Sequence, residues 1–322
     1  MTSRARSVAA AMALAALVAC SPGWPTVALQ GPAARTGTTW LRADAANKKL
    51  LYIADSGKFI VDVYTFPDLT LAGRISGINR PQGECSDGDG NVWITATQGL
   101  QIVEYAHGGT KPIKVLGDPA GYPAGCAVDP TTHDLAVTNL TGFSGPGEVL
   151  IYRHGGGAPA AYADPHQYYY FLAAYDARGN LYSSGQTAKA NYALSVLRSG
   201  AHKMSGLAIK GATLYFPGTV AWVGSTLVLG DQLCGNRKES CFYRGSLSGT
   251  TVRITGVTHL KGACAVAQAV VEATELIGGN VAQCGRGGKG SVDIWPYPRG
   301  GRPIKSVTGV DMPTGAALSN AR

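Results

Sequence analysis

Residues Pro81 to Thr95 read PQGECSDGDGNVWIT. This is a Pro-x-Gly opening, a short run, an Asp-Gly-Asp-Gly-Asn turn and a second run of β-branched and aromatic residues. Two such runs joined by an Asp-Gly turn are the signal of a β-hairpin. The pattern returns at Pro123–Asn139 (PAGCAVDPTTHDLAVTN) and Leu172–Ser184 (LAAYDARGNLYSS), and more faintly over Leu41–Asp55, Val220–Asp231 and Lys261–Asn280. A recurrence about every 40 to 50 residues points to a repeat architecture rather than one irregular core.

Starting each unit near its Pro-x-Gly opening gives six: 41–80, 81–122, 123–167, 168–216, 217–262 and 263–313. Each contains four short β-rich runs. In the second unit they are Glu84–Asp87, Val92–Thr97, Leu100–Tyr105 and Lys111–Leu116, separated by Gly-, Asp- or His-containing turns. Ala265–Glu275 comes nearest to an amphipathic helix but occupies the place of two strands. Four antiparallel strands repeated six times predict an all-β, six-bladed β-propeller over 41–322. One four-stranded blade cannot bury both faces, whereas a ring packs each blade between two neighbours. Pro313–Ser319 is a seventh opening strand with nothing after it. It either completes the first blade beside Leu50–Asp55, displacing Leu41–Asp44, or forms an extra edge. Closure is preferred, because an unpaired apolar edge invites aggregation. A recurring third strand and turn place His107 and His154 in outer turns, as solvated residues.

Residues 1–19 carry Arg4, Arg6 and an apolar run from Val8 to Ala19, the form of a secretory signal. Leu17-Val18-Ala19-Cys20 resembles a bacterial lipobox, with Cys20 the lipid attachment site; an ordinary cleaved signal is the alternative. Residues 20–40, rich in Pro, Gly, Ala and Thr, read as a flexible tether. These features predict an exported protein, a membrane-anchored lipoprotein facing the periplasm or cell surface, or a secreted one. The remaining cysteines are then even in number, as expected of disulfides in an exported chain. Cys234 and Cys241 flank a polar hairpin tip, and Cys264 and Cys284 lie within one repeat. Aligning Gly83 with Gly125 puts Cys85 and Cys126 one residue out of phase, on opposite faces of equivalent strands. Both then point into the gap between the second and third blades.

The net charge of +8 falls to +6 once Arg4 and Arg6 leave with the signal. Lys and Arg are dispersed, which suits loose attraction to anionic envelope polymers or lipid headgroups. Neither a clustered basic face nor a stacking platform for nucleic acid is present. There is also no Gly-x-Ser-x-Gly elbow, phosphate-binding glycine loop or zinc-type Cys/His spacing.

In a propeller of this topology the Pro-x-Gly openings and the loops after each second strand share one end of the ring, here termed the Pro-x-Gly face. Those loops lengthen in units three to six: TNLTGFSGPGE, SSGQTAKANYA, GDQLCGNRKESCF and GGNVAQCGRGGKGS. Unequal loops on one face of a rigid scaffold are where binding resides. Tyr168, Tyr169, Arg237, Lys238 and Arg286 are the ligand candidates, with Tyr168-Tyr169-Tyr170 read either as a sugar-stacking platform or as ordinary strand alternation. At the end of the second strands the aligned residues are Asp55, Ala96, Asn139, Gly185, Asp231 and Asn280. Asp55, Asn139, Asp231 and Asn280, with Glu84, are candidates to hold Ca²⁺ or another divalent cation. Asp and Asn in such places also cap turns.

The repeats resemble the NHL-type β-propellers and, more loosely, the senescence-marker/gluconolactonase superfamily. The likeness rests on Pro81-Gln-Gly83 to Trp93, Pro123-Ala-Gly125 to Val137, Asp176-Ala-Arg-Gly-Asn-Leu-Tyr182 and Leu51-Tyr-Ile-Ala-Asp-Ser-Gly57. It implies a propeller over the whole mature chain. For the lactonases it implies a divalent cation held by funnel residues, of which Glu84, Asn139 and Asp231 match while Ala96 and Gly185 interrupt the set. The sequence-based expectation is a monomeric, non-catalytic binding module for a protein or glycan partner in the cell envelope. The alternative is a divalent-metal-dependent, lactonase-like hydrolase.

Overall fold

The computed structural model describes residues 38–236, 239–281 and 290–321. The signal, most of the tether, Cys20, Arg237, Lys238, Cys284 and Arg286 lie outside the described residues. Six antiparallel sheets form the blades. The innermost strands, in blade order, are Pro313–Ser319, Pro81–Ser86, Gly121–Val128, Tyr169–Tyr175, Pro217–Val223 and Ala269–Glu272. Each touches the next, and that of blade 6 touches that of blade 1, so the ring closes.

Blade 1 is built from both ends of the chain. Pro313–Ser319 pairs with Leu50–Asp55 at the hub, while Trp40–Leu41 pairs with Thr70–Ser76 at the outer edge. The preferred closure is therefore the one observed. Departures from four uniform strands occur further round. Blade 3 carries an extra hairpin strand, Gly145–Pro146. The fourth strand of blade 4 is cut to Ser205–Gly206. The chain then lays Ala208–Lys210 parallel to Thr251–His259 on the rim of blade 5, a parallel pairing that the repeat pattern does not predict. The fourth-unit loop is also shorter than SSGQTAKANYA suggests. Pairing runs out to Gln186 and Tyr192, leaving a tip of Thr187–Asn191.

The described residues form no single central core. Six apolar clusters lie one in each gap between blades. Leu50 and Tyr52 pack against Val92 and Ile94 between blades 1 and 2, while Leu51 and Ile53 face Ile277 and Val292 between blades 6 and 1. Alternate residues of a middle strand thus enter different gaps, which is why Leu50–Asp55 is buried throughout. A strand covered on both faces reads as a continuous apolar run.

The Pro-x-Gly motif has a packing cause. A β-carbon on Gly125 would sit 2.8 Å from Phe171 O, and one on Gly315 would sit 2.6 Å from Gln82 O. Gly83 likewise abuts Ala124 O, and Gly218 abuts Ala267 O. Near the axis, neighbouring strands approach backbone to backbone, and a side chain there would hold them apart. Hydroxyls complete the contact. Thr95 Oγ1 donates to Ala124 O (3.0 Å), Thr138 Oγ1 to Phe171 O (2.7 Å) and Ser184 Oγ to Gly218 O (2.8 Å).

The disulfide Cys85–Cys126 joins the inner strands of blades 2 and 3, with Cα atoms 5.6 Å apart. Cys234–Cys241 closes the hairpin of blade 5. Cys264 is also disulfide-bonded, and its expected partner Cys284 lies outside the described residues. His154 is an exposed turn residue at φ 49°. His107 is not solvated as expected. Its Nδ1 lies 2.6 Å from Ser319 Oγ and its Nε2 is buried, so this turn of blade 2 clasps the closing strand of blade 1.

Candidate functional site

The aligned Asp and Asn residues each clamp the loop that leads into their own blade. Asp55 accepts the N–H groups of Asp311 (2.9 Å) and Met312 (3.0 Å), and Lys58 Nζ lies 3.2 Å away. Asp231 accepts from Tyr215 (3.0 Å), Phe216 (2.9 Å) and Leu233 (3.0 Å). Asn280 accepts from Cys264 N (3.0 Å) and donates to Asp293 (3.1 Å). Asn139 donates to Asp118 Oδ1 (3.1 Å), which in turn accepts from Ala120 and Gly121 in the loop leading into blade 3. The carboxylates are tied to backbone amides, and the structure does not bring these residues together around one point. Among the described residues, one group of three Cys, His, Asp or Glu donors lies within reach of a single ion: Cys234, Cys241 and His259. Two of those sulfurs are joined to each other.

Glu84 sits elsewhere. Its neighbour Cys85 turns into the gap between blades 2 and 3, so by strand alternation Glu84 turns toward blade 1. It is 1% exposed, and neither carboxylate oxygen has a partner. Burial raises its pKa well above the ordinary 4.5, offset only in part by the backbone at Ala54. Desolvation is the cause, since burial disfavours the charged form. Among the described residues, Glu84, Asp55 and Asp231 do not bring their carboxylate oxygens within reach of a single ion.

Gln268, which the repeat pattern did not single out, does reach across blades. From the start of the inner strand of blade 6 its Oε1 accepts from Glu84 N (3.0 Å) and Ala316 N (3.2 Å), and its Nε2 donates to Glu84 O (2.5 Å). One carboxamide thus bonds the inner strands of blades 1 and 2 to blade 6. Beside it a cavity of ≈ 390 Å³ reaches the opposite end of the ring, lined by Ser86, Tyr175, Asn320 and the Lys49–Glu272 pair among others.

The Pro-x-Gly face carries a band of rings on blades 3 to 5. Tyr122 meets Phe143 edge-on at 5.8 Å, Tyr168 lies 4.8 Å from Tyr169, and Phe171 meets Phe216 edge-on at 5.4 Å. Phe143 is 49% exposed and Tyr215 is 39% exposed. The extra hairpin of blade 3 holds Phe143, and Gly147 N donates to Tyr168 O (2.8 Å), tying hairpin and tyrosine pair together. The two readings of the tyrosine run divide by residue. Tyr168 and Tyr169 are half-buried on this face, while Tyr170 is buried with its hydroxyl accepting from Asp164 N (2.6 Å). The other rings were missed because they are scattered over three units, Tyr122 in 81–122, Phe143 in 123–167, and Phe171, Tyr215 and Phe216 in 168–216. Their shared signal is a position beside the opening of an inner strand or the end of a second strand.

The chain is thus a six-bladed, all-β propeller with a band of rings, Phe143 and Tyr215 among them, on the Pro-x-Gly face of blades 3 to 5. No family model matches the sequence, and no curated protein matches it. Solved structures agree in fold. A chain from the crystal structure of a nidogen/laminin complex is similar at TM-score 0.64 and 14% identity, over 85% of this chain and 99% of that one. A protein of unknown function from Bacteroides caccae is similar at TM-score 0.62 and 13% identity, over 84% and 99%. Hydrazine synthase from Kuenenia stuttgartiensis is similar at TM-score 0.60 and 10% identity, over 93% and 94%. At these identities the likeness establishes the fold alone.

Proposed function

We propose that this propeller is an exported, non-catalytic binding module of the NHL type, anchored through Cys20, whose Pro-x-Gly face takes a protein or glycan partner in the cell envelope. The observation that carries this is the ring band on blades 3 to 5, with Phe143 and Tyr215 exposed although large apolar groups normally turn inward. Rigid rings supply contact area at little entropic cost, on sugars and proteins alike. The disulfides agree with an oxidising compartment. A lactonase-like hydrolase gains no support, since Asp55, Asp231 and Asn280 are engaged by their own loops.

The test is retention on isolated envelope glycan and on envelope protein, comparing wild type with Phe143→Ala/Tyr215→Ala. Selective loss of retention on one fraction supports the reading and identifies the partner class. Unchanged retention on both, or lactone opening by the wild type that depends on added Ca²⁺, removes it.

A further inference from the structure

The rims of blades 1 and 2 carry a second apolar surface, apart from the ring band. The outer strand of blade 2, Pro112–Gly117, is exposed at every position but Leu116. Ile113 is 56% exposed and Val115 is 50% exposed. Val115 lies opposite Val103, which is buried in the apolar cluster between blades 1 and 2. Strand alternation puts Ile113 on the same side, so the pair continues that cluster outward into solvent. On blade 1, Leu41 packs on the same cluster, and its neighbour Trp40 stands 40% exposed on the rim. Of the other large apolar side chains exposed among the described residues, Phe143 and Tyr215 belong to the ring band and Ile304 lies on blade 6.

The charge around this surface is positive. The turn of blade 2 that leads to Lys111 abuts the Ala43–Asn47 segment of blade 1, where a β-carbon on Gly108 would fall 3.1 Å from Ala46 Cα. Arg42 and Lys48, at the two ends of that segment, and Lys111 are all exposed. Asp44 is shared by Arg42 and Lys48, while Lys111 is in no ion pair among the described residues. Lys114, on the other side of its strand, is turned away and donates to Gly155 O in blade 3 (3.0 Å). A tryptophan and two aliphatic side chains among unbalanced cations have the chemistry of a membrane-interface surface. The apolar groups enter the headgroup boundary, and Lys and Arg draw anionic lipid.

The start of the described chain selects this occupant. It begins at Thr38, two places before Trp40, and 17 residues, 21–37, separate it from Cys20. Fully extended, they span at most about 60 Å, so a bilayer holding Cys20 is always within that distance of the rim of blade 1. A weak contact then suffices, because anchoring makes it intramolecular.

We infer that the rim of blades 1 and 2 docks on the surface of an anionic lipid bilayer through Trp40, Ile113 and Val115, with Arg42, Lys48 and Lys111 meeting the headgroups. The setting rests on the anchored reading above, but the contact itself needs no lipid on Cys20. Docking at the rim leaves the Pro-x-Gly face open to its partner.

Vesicle flotation tests the contact apart from the anchor, using the mature chain from Ser21 onward, which lacks Cys20. This protein should float with vesicles of mixed phosphatidylglycerol and phosphatidylcholine. It should bind phosphatidylcholine alone about 10-fold more weakly and be released by about 0.5 M NaCl. Ile113→Ser/Val115→Ser should weaken binding about 10-fold. Lys111→Gln should weaken it about fivefold, the equivalent of about 1 kcal/mol, and Ile304→Ser should leave it unchanged. In the unaltered chain, spin-labelled lipid should broaden the methyl signals of Ile113 and Val115, which locates the contact without any variant. Absence of binding to the anionic vesicles overturns the inference, whatever the fate of Cys20 in cells. So do equal binding to neutral vesicles, broadening confined to other residues, or undiminished binding by folded Ile113→Ser/Val115→Ser. A dimer that these two substitutions dissociate would also overturn it, by making a second copy the occupant.

Discussion

Thr138 Oγ1 donates to Phe171 O at 2.7 Å, across the gap between blades 3 and 4, and the same oxygen accepts the N–H of Gly125 at 2.9 Å. One buried hydroxyl therefore satisfies its own blade and its neighbour. Thr138→Val keeps the shape and removes both bonds, leaving a buried donor and acceptor unpaired. The expected loss is about 1–3 kcal/mol in urea unfolding, with Thr138→Ser close to wild type.

Gly125 makes the same contact sterically. Its β-carbon would fall 2.8 Å from Phe171 O, against backbone that cannot swing aside. Gly125→Ala should cost about 1–3 kcal/mol as overpacking. Gly88→Ala, where nothing lies within 4 Å, should melt with the wild type.

Cys85–Cys126 closes a loop of sequence separation 41 at the hub. On the chain-entropy account such a cross-link stabilises by up to about 4 kcal/mol. The double variant Cys85→Ser/Cys126→Ser should lower the urea midpoint accordingly and abolish the sensitivity of that midpoint to a dithiol reductant at this site.

Two buried groups titrate in opposite senses. The folded pKa of Glu84 lies well above 4.5 because burial disfavours its charge. Its contribution is full below 4.5 and is lost as pH rises through the folded value. The folded pKa of His107 lies below 6.5, again through burial. The unfolded chain then takes up protons first, so stability falls as pH drops below 6.5. Glu84→Gln should raise the melting temperature at pH 8 more than at pH 4.5, and His107→Gln should flatten the decline below pH 6.5.

Lipid anchoring through Cys20 has a direct readout. Cys20→Ala should move the protein from the membrane fraction to the soluble fraction without changing its melting temperature, since the described propeller begins well past that residue. Wild-type protein already in the soluble fraction would argue for the ordinary cleaved signal instead.

What could be read from the chain follows what repeats. The Pro-x-Gly openings were legible because the hub imposes the same backbone approach on Gly83, Gly125 and Gly315. The out-of-phase spacing of Cys85 and Cys126 was legible because strand alternation is geometric. Asp55, Asp231 and Asn280 were found by the same alignment, although the residue types alone could not decide between clamping a loop and holding a cation. Thr95 and Thr138 lay one place before that column. Gln268 left no trace, because its bonds to Glu84 and Ala316 exist only once the ring has shut. The parallel pairing of Ala208–Lys210 with the outer strand of blade 5 was hidden for the opposite reason: it arises where a repeat is incomplete, and an alignment of repeats reports what recurs.

The construction of blade 1 from both chain ends has a mechanical consequence. A pull on the amino-terminal side enters through Trp40–Leu41, a two-residue strand on the outer rim, whose pairing with Gly73 and Arg74 would peel open bond by bond. The Pro313–Ser319 clasp lies at the opposite side of the same blade. Load arriving from that side would therefore strip a short ribbon from the circumference before it reached the seam, so the rim of this blade can give way while the wheel itself stays whole.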